Sequence, residues 1–347
     1  MKMHMGKKPL LGLAAILVTT AALVCLPMSG YHKPVQKQQH IKIGVSAYKS
    51  NDTFVSSILA QMEQMSKDYE KVTGVKVTLD ITGANENQRT QNDQVKRYIS
   101  LGYDVICVNI VDRTIAAPMI DDAVEAGVPL IFFNREPVEE DLMRGENVYY
   151  VGSDAKETAV LQSKITADLW KSDRSVIDRN DNGKIEYVML EGEMGHQDAL
   201  IRTEWSIRSL TQNGIPTEKL QSGIANWDRN QAAVLMEQWL SSYGDTIELV
   251  ICNNDDMALG AADAVEKSGL SGIKIVGIDS TPQGLDAVRN GKLLGTVDCS
   301  PQLHADYIFR LACGLAIDGN VPTDMPVERE RYMRVRLKTI TKNDLSE

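Results

Sequence analysis

The fold is decided by the stretch Ile185-Glu-Tyr-Val-Met-Leu-Glu191, which is followed by a turn at Gly192 and Gly195 and then by His196-Gln-Asp198-x-x-x-Arg202. The first seven residues form a largely apolar run, which is typical of a buried strand. The glycines mark a turn, and the polar group after them opens a helix. Strand and helix alternate in this way along most of the chain. The alternation predicts doubly wound α/β domains with parallel sheets and right-handed crossovers.

Ten apolar runs, separated by amphipathic helices, are the predicted strands. Ten strands in 347 residues indicate two parallel sheets, and therefore two lobes with a cleft between them. The predicted strands are Ile41–Ala47, Val75–Ile81, Asp104–Val111, Val128–Asn134, Val148–Gly152, Ile185–Glu191, Leu220–Asn226, Ile247–Cys252, Ile273–Ile278 and Leu294–Val297.

The N-terminus has the composition of an export signal or a short membrane anchor. Three lysines precede a segment without charged residues, from Pro9 to His32, whose centre is almost wholly apolar. Within it, Ala22-Leu-Val-Cys25 resembles a bacterial lipobox, in which Cys25 would be lipidated, although valine stands where a small residue is usual. We predict a signal peptide or retained anchor over residues 1–30 and a linker over 31–40. The protein is therefore expected outside the cytoplasm, in the periplasm or tethered to the membrane at the cell surface.

Charge and cysteine content exclude two other classes of protein. From Cys25 onward the three N-terminal lysines are lost, so the net charge of −10 becomes −13, which argues against nucleic acid as a partner. Cys107 and Cys252 lie in apolar strand patterns and Cys313 lies in a predicted helix. We predict free core thiols rather than disulfides, and the chain has no C-x-x-C metal pair.

Polar and aromatic side chains recur where the predicted strands end. Ligands of open α/β sheets bind beyond the carboxyl ends of the strands, so these side chains are the candidate binding residues. They are Asp52 and Phe54 after the first strand, then Asn134, the group His196, Asp198 and Arg202, and finally Trp227, Asn254 and Asp279.

This set of side chains suits a neutral polyhydroxyl ligand. Each buried hydroxyl left unmatched costs about 1–3 kcal/mol, and carboxylates, carboxamides and arginine supply matched partners. The apolar faces of a pyranose ring are covered well by flat aromatic rings. Phe54 and Trp227 are the candidates for that role, and we expect them to come from opposite lobes.

Simpler explanations of several candidates stay open at the level of sequence. Asp52 and Asn254 each precede a helix and would serve as N-caps. Phe54 would fit a hydrophobic core. Asp198 and Arg202, four residues apart on one helix, would form an ion pair worth about 0.2–0.5 kcal/mol.

An enzyme is the weaker hypothesis. His196 and Asp198 could form an acid/base pair, and Asp52 with Asp198 could serve as the two carboxylates of a glycosidase. The chain contains no G-x-G-x-x-G, Walker, G-x-S-x-G or H-E-x-x-H motif to accompany them. We therefore expect a binding protein without catalytic residues.

A second group of oxygen ligands lies in the segment Asp178-Arg-Asn-Asp-Asn-Gly-Lys-Ile-Glu186. It places oxygen-bearing side chains at positions one, three, five and nine and glycine at six, which is the pattern of a calcium-binding loop. The twelfth position, which carries a bidentate glutamate in an EF-hand, is Met189 within the strand pattern. The missing carboxylate would have to come from a distant segment. An ordinary solvated turn is the alternative, because such turns are also rich in Asp, Asn and Gly.

Six segments of the chain resemble the periplasmic galactose/glucose-binding protein family, the ligand-capturing subunits of sugar ABC transporters. The resemblance covers nearly everything after residue 40. It is carried by Tyr48-Lys-Ser-Asn-Asp-Thr-Phe54, Phe132-Phe-Asn-Arg-Glu-Pro137, Tyr149-Tyr-Val-Gly-Ser-Asp154, Gly192-Glu-Met-Gly-His-Gln-Asp198, Asn253-Asn-Asp255 and Gly277-Ile-Asp279.

The resemblance implies a type I periplasmic-binding fold, with two lobes joined by a three-strand hinge. The first lobe would comprise residues 41–152 and 298–330, and the second residues 153–297 and 331–347. The crossings are expected near Gly152–Asp154, Val297–Pro301 and Glu328–Tyr332.

The resemblance also implies roles for the candidate residues. Phe54 and Trp227 would sandwich the sugar ring, and the seven polar residues would bind its hydroxyls and ring oxygen. Where the family has an asparagine for the 2-hydroxyl, this chain has Cys299 beside Asp298. A thiol is a poor hydrogen-bond partner, so either Asp298 or water compensates, or the preference at that ring position differs.

The family's calcium site supplies the carboxylate that the loop lacks. The resemblance implies that a distant glutamate, Glu248, completes the site, with Lys184 contributing only its backbone carbonyl. The implied ligands are Asp178, Asn180, Asn182, Lys184, Glu186 and Glu248. Asn182 and Glu186 exchange the usual acid and amide, so the count of three carboxylates is kept.

The resemblance as a whole implies an exported solute-binding protein that captures a monosaccharide, D-galactose or D-glucose, for an ABC permease. We expect a monomer that closes on its ligand by hinge motion. A sugar sensor acting on a chemoreceptor or receptor kinase is the alternative, and a sugar-acting enzyme is a weaker one.

Overall fold

The computed structural model describes residues 40–345 and shows two α/β lobes. The predicted signal or anchor at 1–30, Cys25 and all of the linker before residue 40 lie outside the described residues. From residue 40 to residue 345, no helix is both long and apolar enough to cross a bilayer.

Thirteen strands form within the described part of the chain. They are β1 (His40–Ala47), β2 (Lys76–Gly83), β3 (Val105–Val108), β4 (Leu130–Phe133), β5 (Val148–Gly152), β6 (Ile185–Glu191), β7 (Thr217–Ile224), β8 (Leu249–Cys252), β9 (Lys274–Val276), β10 (Gly295–Asp298), β11 (Val327–Glu328), β12 (Tyr332–Arg334) and β13 (Lys338–Thr341).

The strands form one sheet in each lobe. The first sheet has the order β11-β12-β5-β4-β3-β1-β2, and the second has the order β13-β10-β9-β8-β6-β7. All neighbours are parallel except the pairs β11/β12 and β10/β13, which are antiparallel. The expected class, two lobes built on mostly parallel sheets, is confirmed.

Ten α-helices cover these sheets within residues 40–345. They are α1 (Thr53–Thr73), α2 (Gln88–Ser100), α3 (Ala117–Ala126), α4 (Glu139–Leu142), α5 (Ala155–Ser172), α6 (Gln197–Gln212), α7 (Arg229–Tyr243), α8 (Asp255–Ser268), α9 (Pro282–Arg289) and α10 (Pro301–Asp318).

Helices bury both faces of each sheet, which explains why inner strands such as β3, β4 and β8 are apolar runs without alternation. In β3, Val105 and Cys107 belong to the core shared with α1 and α10, whereas Ile106 and Val108 face the core shared with α2 and α3. The second sheet is covered in the same way, by α7 and α8 on one face and by α5 and α6 on the other. The described cysteines are buried and free, as the sequence predicts.

The chain crosses between the lobes three times. It leaves the first sheet after β5 and enters α5, which packs against β10 and β13 of the second sheet. It returns after β10 into α10, which packs against α1, and it crosses again between β12 and β13. The lobes are therefore joined by three short segments, at residues 153–154, 299–300 and 335–337.

The last crossing comes later than we expected. Residues from 331 onward are predicted in the second lobe, but β12 pairs with β5 of the first sheet, Tyr332 opposite Tyr150. All ten predicted strands are present, whereas β11, β12 and β13 are missed. These three have only two to four residues each and lack a long apolar run, so no pattern identifies them.

Candidate ligand-binding cleft

Nine of the ten candidate binding residues converge on one cavity between the lobes. Asp52, Phe54 and Asn134 follow strands of the first sheet, and the other six follow strands of the second. Tyr48 and Arg135 complete the lining. The nine are Asp52, Phe54, Asn134, His196, Asp198, Arg202, Trp227, Asn254 and Asp279.

Three lining residues have a left-handed backbone at the ends of their strands. The φ angle is 60° at Asn134, 63° at Trp227 and 120° at Asp279. Residues other than glycine rarely adopt such backbone angles, and these conformations persist where surrounding contacts hold them. Gly192 makes room for one of them, because a Cβ there would lie 2.2 Å from the ring of Trp227. The backbone is therefore bent to aim these side chains into the cavity.

Capping and cavity lining are combined in the same residues. Asp52 Oδ1 accepts from Val55 N at 2.8 Å at the start of α1, and its Oδ2 accepts from the Tyr48 hydroxyl at 2.6 Å. Asn254 Oδ1 accepts from Met257 N at 3.0 Å at the start of α8. The capping explanation left open by the sequence is therefore correct, but both residues also line the cavity.

The two aromatic candidates come from opposite lobes, as expected. Phe54 is 7% exposed and packs edge-on against His304, with ring centroids 5.4 Å apart, so it belongs to the core as well as to the cavity. Trp227 packs edge-on against His196 at 5.1 Å. Each ring is thus held in place by a neighbouring imidazole.

Buried charges give the second lobe's side of the cavity its polarity. Arg202 lies 3.8 Å from Asp198 and donates to Asn253 O at 2.9 Å, while its Nε has no partner in the described structure. Burial raises the pKa of Asp198 and Asp279, although Arg202 opposes the shift. Burial and the nearby arginines hold the pKa of His196 well below its usual range. The second lobe's side of the cavity therefore offers carboxyl groups, one guanidinium and a neutral imidazole.

Two direct contacts join the lobes across the cleft. Arg135 Nη2 lies 2.6 Å from Glu193 Oε2, and its guanidinium lies 3.6 Å from the centre of the Tyr48 ring. Thr53 Oγ1 donates to Asp256 Oδ2 at 2.6 Å. Neither Arg135 nor Tyr48 is among the residues predicted from the sequence. Tyr48 directly follows β1 and Arg135 lies two residues after β4, and this position at a strand end is the signal that could have identified them.

Cys299 does not line the cavity. It is 1% exposed in the crossing after β10, and burial raises the pKa of its thiol. Its neighbour Asp298 accepts from Ser280 Oγ at 2.8 Å and from Ser300 N at 2.7 Å. The Asp298 carboxylate is engaged by the protein and is not among the lining residues, so it does not replace the missing amide.

The Asp178 loop folds against the distant glutamate. Glu248 accepts from Arg179 N at 2.6 Å and from Glu186 N at 3.2 Å. Asp178 accepts from the backbone nitrogens of Asn182 and Gly183 at 3.0 Å each. The carboxylates of Asp178, Glu186 and Glu248 are all buried. The structure thus brings the expected ligand residues into one loop region.

The region gathers oxygen donors of the kind that a hard cation takes, but two cationic side chains already pair with its carboxylates. Arg174 pairs with Asp178 and Lys184 with Glu186, at 2.7 and 3.3 Å. Burial, and then the neighbouring charge of Glu186, raise the pKa of Glu248 against the hydrogen bonds that it accepts. Between residues 40 and 345, no three His, Cys, Asp or Glu side chains already surround one point at metal-ligand spacing. The oxygen donors are therefore gathered but not arranged around a centre.

Comparisons with known proteins cover both lobes. The family model of the periplasmic binding protein domain matches residues 43–320. The D-galactose/methyl-galactoside binding periplasmic protein of Haemophilus influenzae is 33% identical, over 88% of this chain and 91% of that protein. A putative rhizopine-binding protein of Rhizobium meliloti is 31% identical, over 98% of both. An ABC transporter solute binding protein from Bacillus halodurans with bound myo-inositol has a TM-score of 0.74 and 27% identity, over 89% of this chain and 97% of that chain.

Proposed function

Because the chain belongs to the periplasmic binding protein domain family, we propose that it captures a monosaccharide in the cleft between its lobes and presents it to an ABC permease. The family acts outside the cytoplasm, and its members are binding proteins, so the chain is not an enzyme. One observation carries the proposal: side chains from six strand ends and both lobes line a single cavity.

The geometry suits a sugar ring in three respects. Phe54 and Trp227 provide flat apolar surfaces from opposite lobes for its C–H faces. Asp198, Arg202 and Asp279 provide charged partners for hydroxyls, and such hydrogen bonds are about twice as strong as neutral ones. The contacts across the cleft hold the lobes together around the cavity, which suits closure on a ligand by hinge motion.

D-galactose or D-glucose is the ligand that we propose. The Haemophilus relative, whose name includes D-galactose, supports this choice. The Bacillus structure holds myo-inositol, a ring of similar size that also carries hydroxyls all round. A cyclic polyol is therefore the competing ligand, and the binding experiment has to include it.

Calorimetry on the chain from residue 36 onward tests this function, because that chain keeps every described residue. We expect D-galactose or D-glucose to bind with micromolar or tighter affinity, about −8 kcal/mol or better. Fluorescence of Trp227 should change on binding, and the change should be lost in Trp227→Phe. Asp263→Asn, an exposed residue of α8, is the matched control and should bind normally. Tighter binding of myo-inositol than of either hexose would show that the ligand is a cyclic polyol. No heat of binding with any sugar or polyol would refute the proposed function.

We also propose that the Asp178 loop binds Ca²⁺. The support is three buried carboxylates in a region that also carries Asn180 and Asn182, whose amide nitrogens donate to Glu186. Glu248 forms no ion pair with a cationic side chain in the described structure. When bound, the ion would supply positive charge shared by Asp178, Glu186 and Glu248 and would fix the loop to the second sheet. It would serve the stability of the second lobe and take no part in sugar recognition.

Three expectations remain predictions from the sequence. Lipidation of Cys25, or retention of the anchor, concerns residues that the structure does not describe. A chemoreceptor or sensor kinase as partner, and the monomeric state, rest on the resemblance alone.

A further inference from the structure

Asp255 is a completely buried carboxyl group next to the cavity that does not line it. It is the first residue of α8 and follows the lining residue Asn254. Its Oδ2 accepts from Thr281 N at 2.8 Å and from Thr281 Oγ1 at 3.3 Å. Its Oδ1 accepts from Thr296 Oγ1 at 2.6 Å. All three donors belong to the segments after β9 and within β10, so the carboxyl group connects α8 to the neighbouring strand ends.

Two glycines leave the space that this carboxyl group fills. A Cβ at Gly277 would lie 2.2 Å from Asp255 Oδ1, and a Cβ at Gly284 would lie 2.2 Å from Oδ2. Neither glycine has a positive φ angle, so the reason for glycine is room and not backbone conformation. The close approach on both sides fixes the position of Asp255 to within a narrow range.

The segment that Asp255 holds carries the lining residue Asp279. Thr281 is two residues after Asp279 and caps α9 through its hydroxyl, which accepts from Gly284 N at 3.1 Å. Thr296 Oγ1, besides donating to Asp255, accepts from Ser280 N at 3.3 Å. Asp279 and Ser280 have backbone φ angles of 120° and 56°, which residues other than glycine rarely adopt. The strained turn is therefore held from its C-terminal side by one carboxyl group.

We propose that Asp255 is a positioning residue for sugar recognition, which fixes the Asp279–Thr281 turn so that the Asp279 carboxyl group points into the cavity. The inference rests on the proposed function, because Asp279 is assigned to the ligand there. Asp255 and Asn254 then have complementary tasks: Asn254 faces the ligand, and Asp255 holds the turn that faces it from the next strand.

The energetics of burial support this role. Burial raises the pKa of Asp255 to about 7, in spite of its hydrogen bonds to Thr296 and Thr281, and Asp256 raises it further. Desolvation of a buried carboxyl group is costly, and the three hydrogen bonds from Thr281 and Thr296 offset that cost. The carboxyl group and the turn that donates to it therefore stabilise each other.

A double-mutant cycle on the chain from residue 36 onward tests the inference, with D-galactose, D-glucose and their deoxy analogues as probes. We expect Asp255→Asn to fold and to bind the preferred sugar about tenfold more weakly, which corresponds to about 1.4 kcal/mol. Combined with Asp279→Asn, it should add little further loss, because residues that act as a unit are not additive. Asp279→Asn should lose the ability to distinguish the sugar from one of its deoxy analogues. Asp255→Asn should also distinguish that same pair of ligands less well than the wild-type chain does. A role in stability alone would lower the melting temperature without changing that discrimination.

A gentler variant keeps the test valid if Asp255→Asn does not fold. Thr296→Val is nearly isosteric and removes both the donor to Asp255 Oδ1 and the acceptor of Ser280 N, so it should weaken binding severalfold, while the Asp263→Asn control should not. Wild-type affinity in both Asp255→Asn and Thr296→Val, or fully additive losses in the cycle, would overturn the inference. Failure of the wild-type chain to bind any sugar or polyol would instead refute the proposed function.

Discussion

Arg135 of the first lobe and Glu193 of the second are joined across the cleft by an ion pair, with Nη2 and Oε2 2.6 Å apart. Arg135 is also covered by the ring of Tyr48 and donates to Val111 O at 3.2 Å, so its guanidinium is fixed before the lobes meet. Glu193 comes from the turn between β6 and α6. The pair is therefore a contact that has to break whenever the lobes separate.

Loss of this pair should speed the release of ligand. In Glu193→Gln we expect the dissociation rate of the sugar to rise about fivefold, because a partly buried ion pair contributes about 1 kcal/mol. The association rate should change little, since the pair forms only as the lobes close. Stopped-flow measurement of Trp227 fluorescence gives both rates.

Glu204→Gln provides the matched control for that experiment. Glu204 forms an ion pair with Arg208 on the exposed side of α6, at 3.3 Å, and makes no contact across the cleft in the described structure. The association and dissociation rates of the Glu204→Gln variant should equal those of the wild-type chain. An unchanged dissociation rate in Glu193→Gln would show that the pair does not hold the lobes together.

Sugar affinity should fall as the pH is lowered. Burial raises the pKa of Asp198 and Asp279, and it raises that of Asp255 to about 7. An ionised carboxyl group accepts through both oxygens, and protonation removes one of these acceptors. Sugar binding therefore releases protons when the pH lies near the raised pKa values of these carboxyl groups. His196 stays neutral because its pKa is lowered. Calorimetry between about pH 8 and about pH 5 should show the decline, and Asp279→Asn should reduce its slope. A flat profile would contradict this expectation.

The residue at position 299 should determine how strongly the protein prefers a sugar with a 2-hydroxyl. The Cys299 side chain stops short of the cavity, and an asparagine there would be longer and would carry a donor and an acceptor. In Cys299→Asn we expect the affinity for D-glucose relative to 2-deoxy-D-glucose to rise about fivefold. Cys299→Ser, which is no longer than cysteine, should leave that ratio almost unchanged. Calorimetry with the two sugars measures the ratio, and equal ratios in all three proteins would exclude a role for this position.

Calcium should stabilise the second lobe. With saturating Ca²⁺ we expect the melting temperature to exceed that in chelator by about 5 °C, because a ligand at about a hundred times its Kd adds about 2.7 kcal/mol. In Glu248→Gln the difference should disappear, since one buried carboxylate is lost. Differential scanning calorimetry in the presence and absence of chelator measures both effects.

Glu218→Gln is the control for the calcium experiment. Glu218 is half exposed, pairs with Lys184 beside the loop and is not a proposed ligand. This variant should keep the full difference in melting temperature. If the wild-type chain melts at the same temperature with and without chelator, the loop is a turn held by its own hydrogen bonds and by Arg174.

The sequence predicts the sheets well because both faces of each sheet are buried. Strands such as β4 and β8 are uniform apolar runs for that reason, and the polar residues that end them mark the cleft. The strands that escape prediction, β11, β12 and β13, owe their existence to tertiary pairing. Residues Tyr332 to Arg334 form a strand because β5 lies beside them, and nothing in their own pattern shows it.

The cavity is harder to predict in detail than the sheets. Asp52 and Trp227 follow strands and can be found by their position, whereas the contact between Arg135 and Glu193 joins residues 58 positions apart in different lobes. The role of Asp255 is equally hidden, because it depends on how closely Gly277 and Gly284 approach its oxygens. Contacts of this kind are set by the packing of one segment on another, and local sequence does not record them.

The three crossings of the chain have a consequence for how the molecule is made. β12 pairs with one edge of β5, and β13 pairs with one edge of β10. Each sheet therefore includes a strand from near the C-terminal end of the described chain. Neither lobe can reach its final form until nearly the whole polypeptide is available. A premature stop after α10 would turn β5 and β10, which are inner strands of the complete sheets, into edge strands. Edge strands are the sites at which strands of different molecules pair and aggregate.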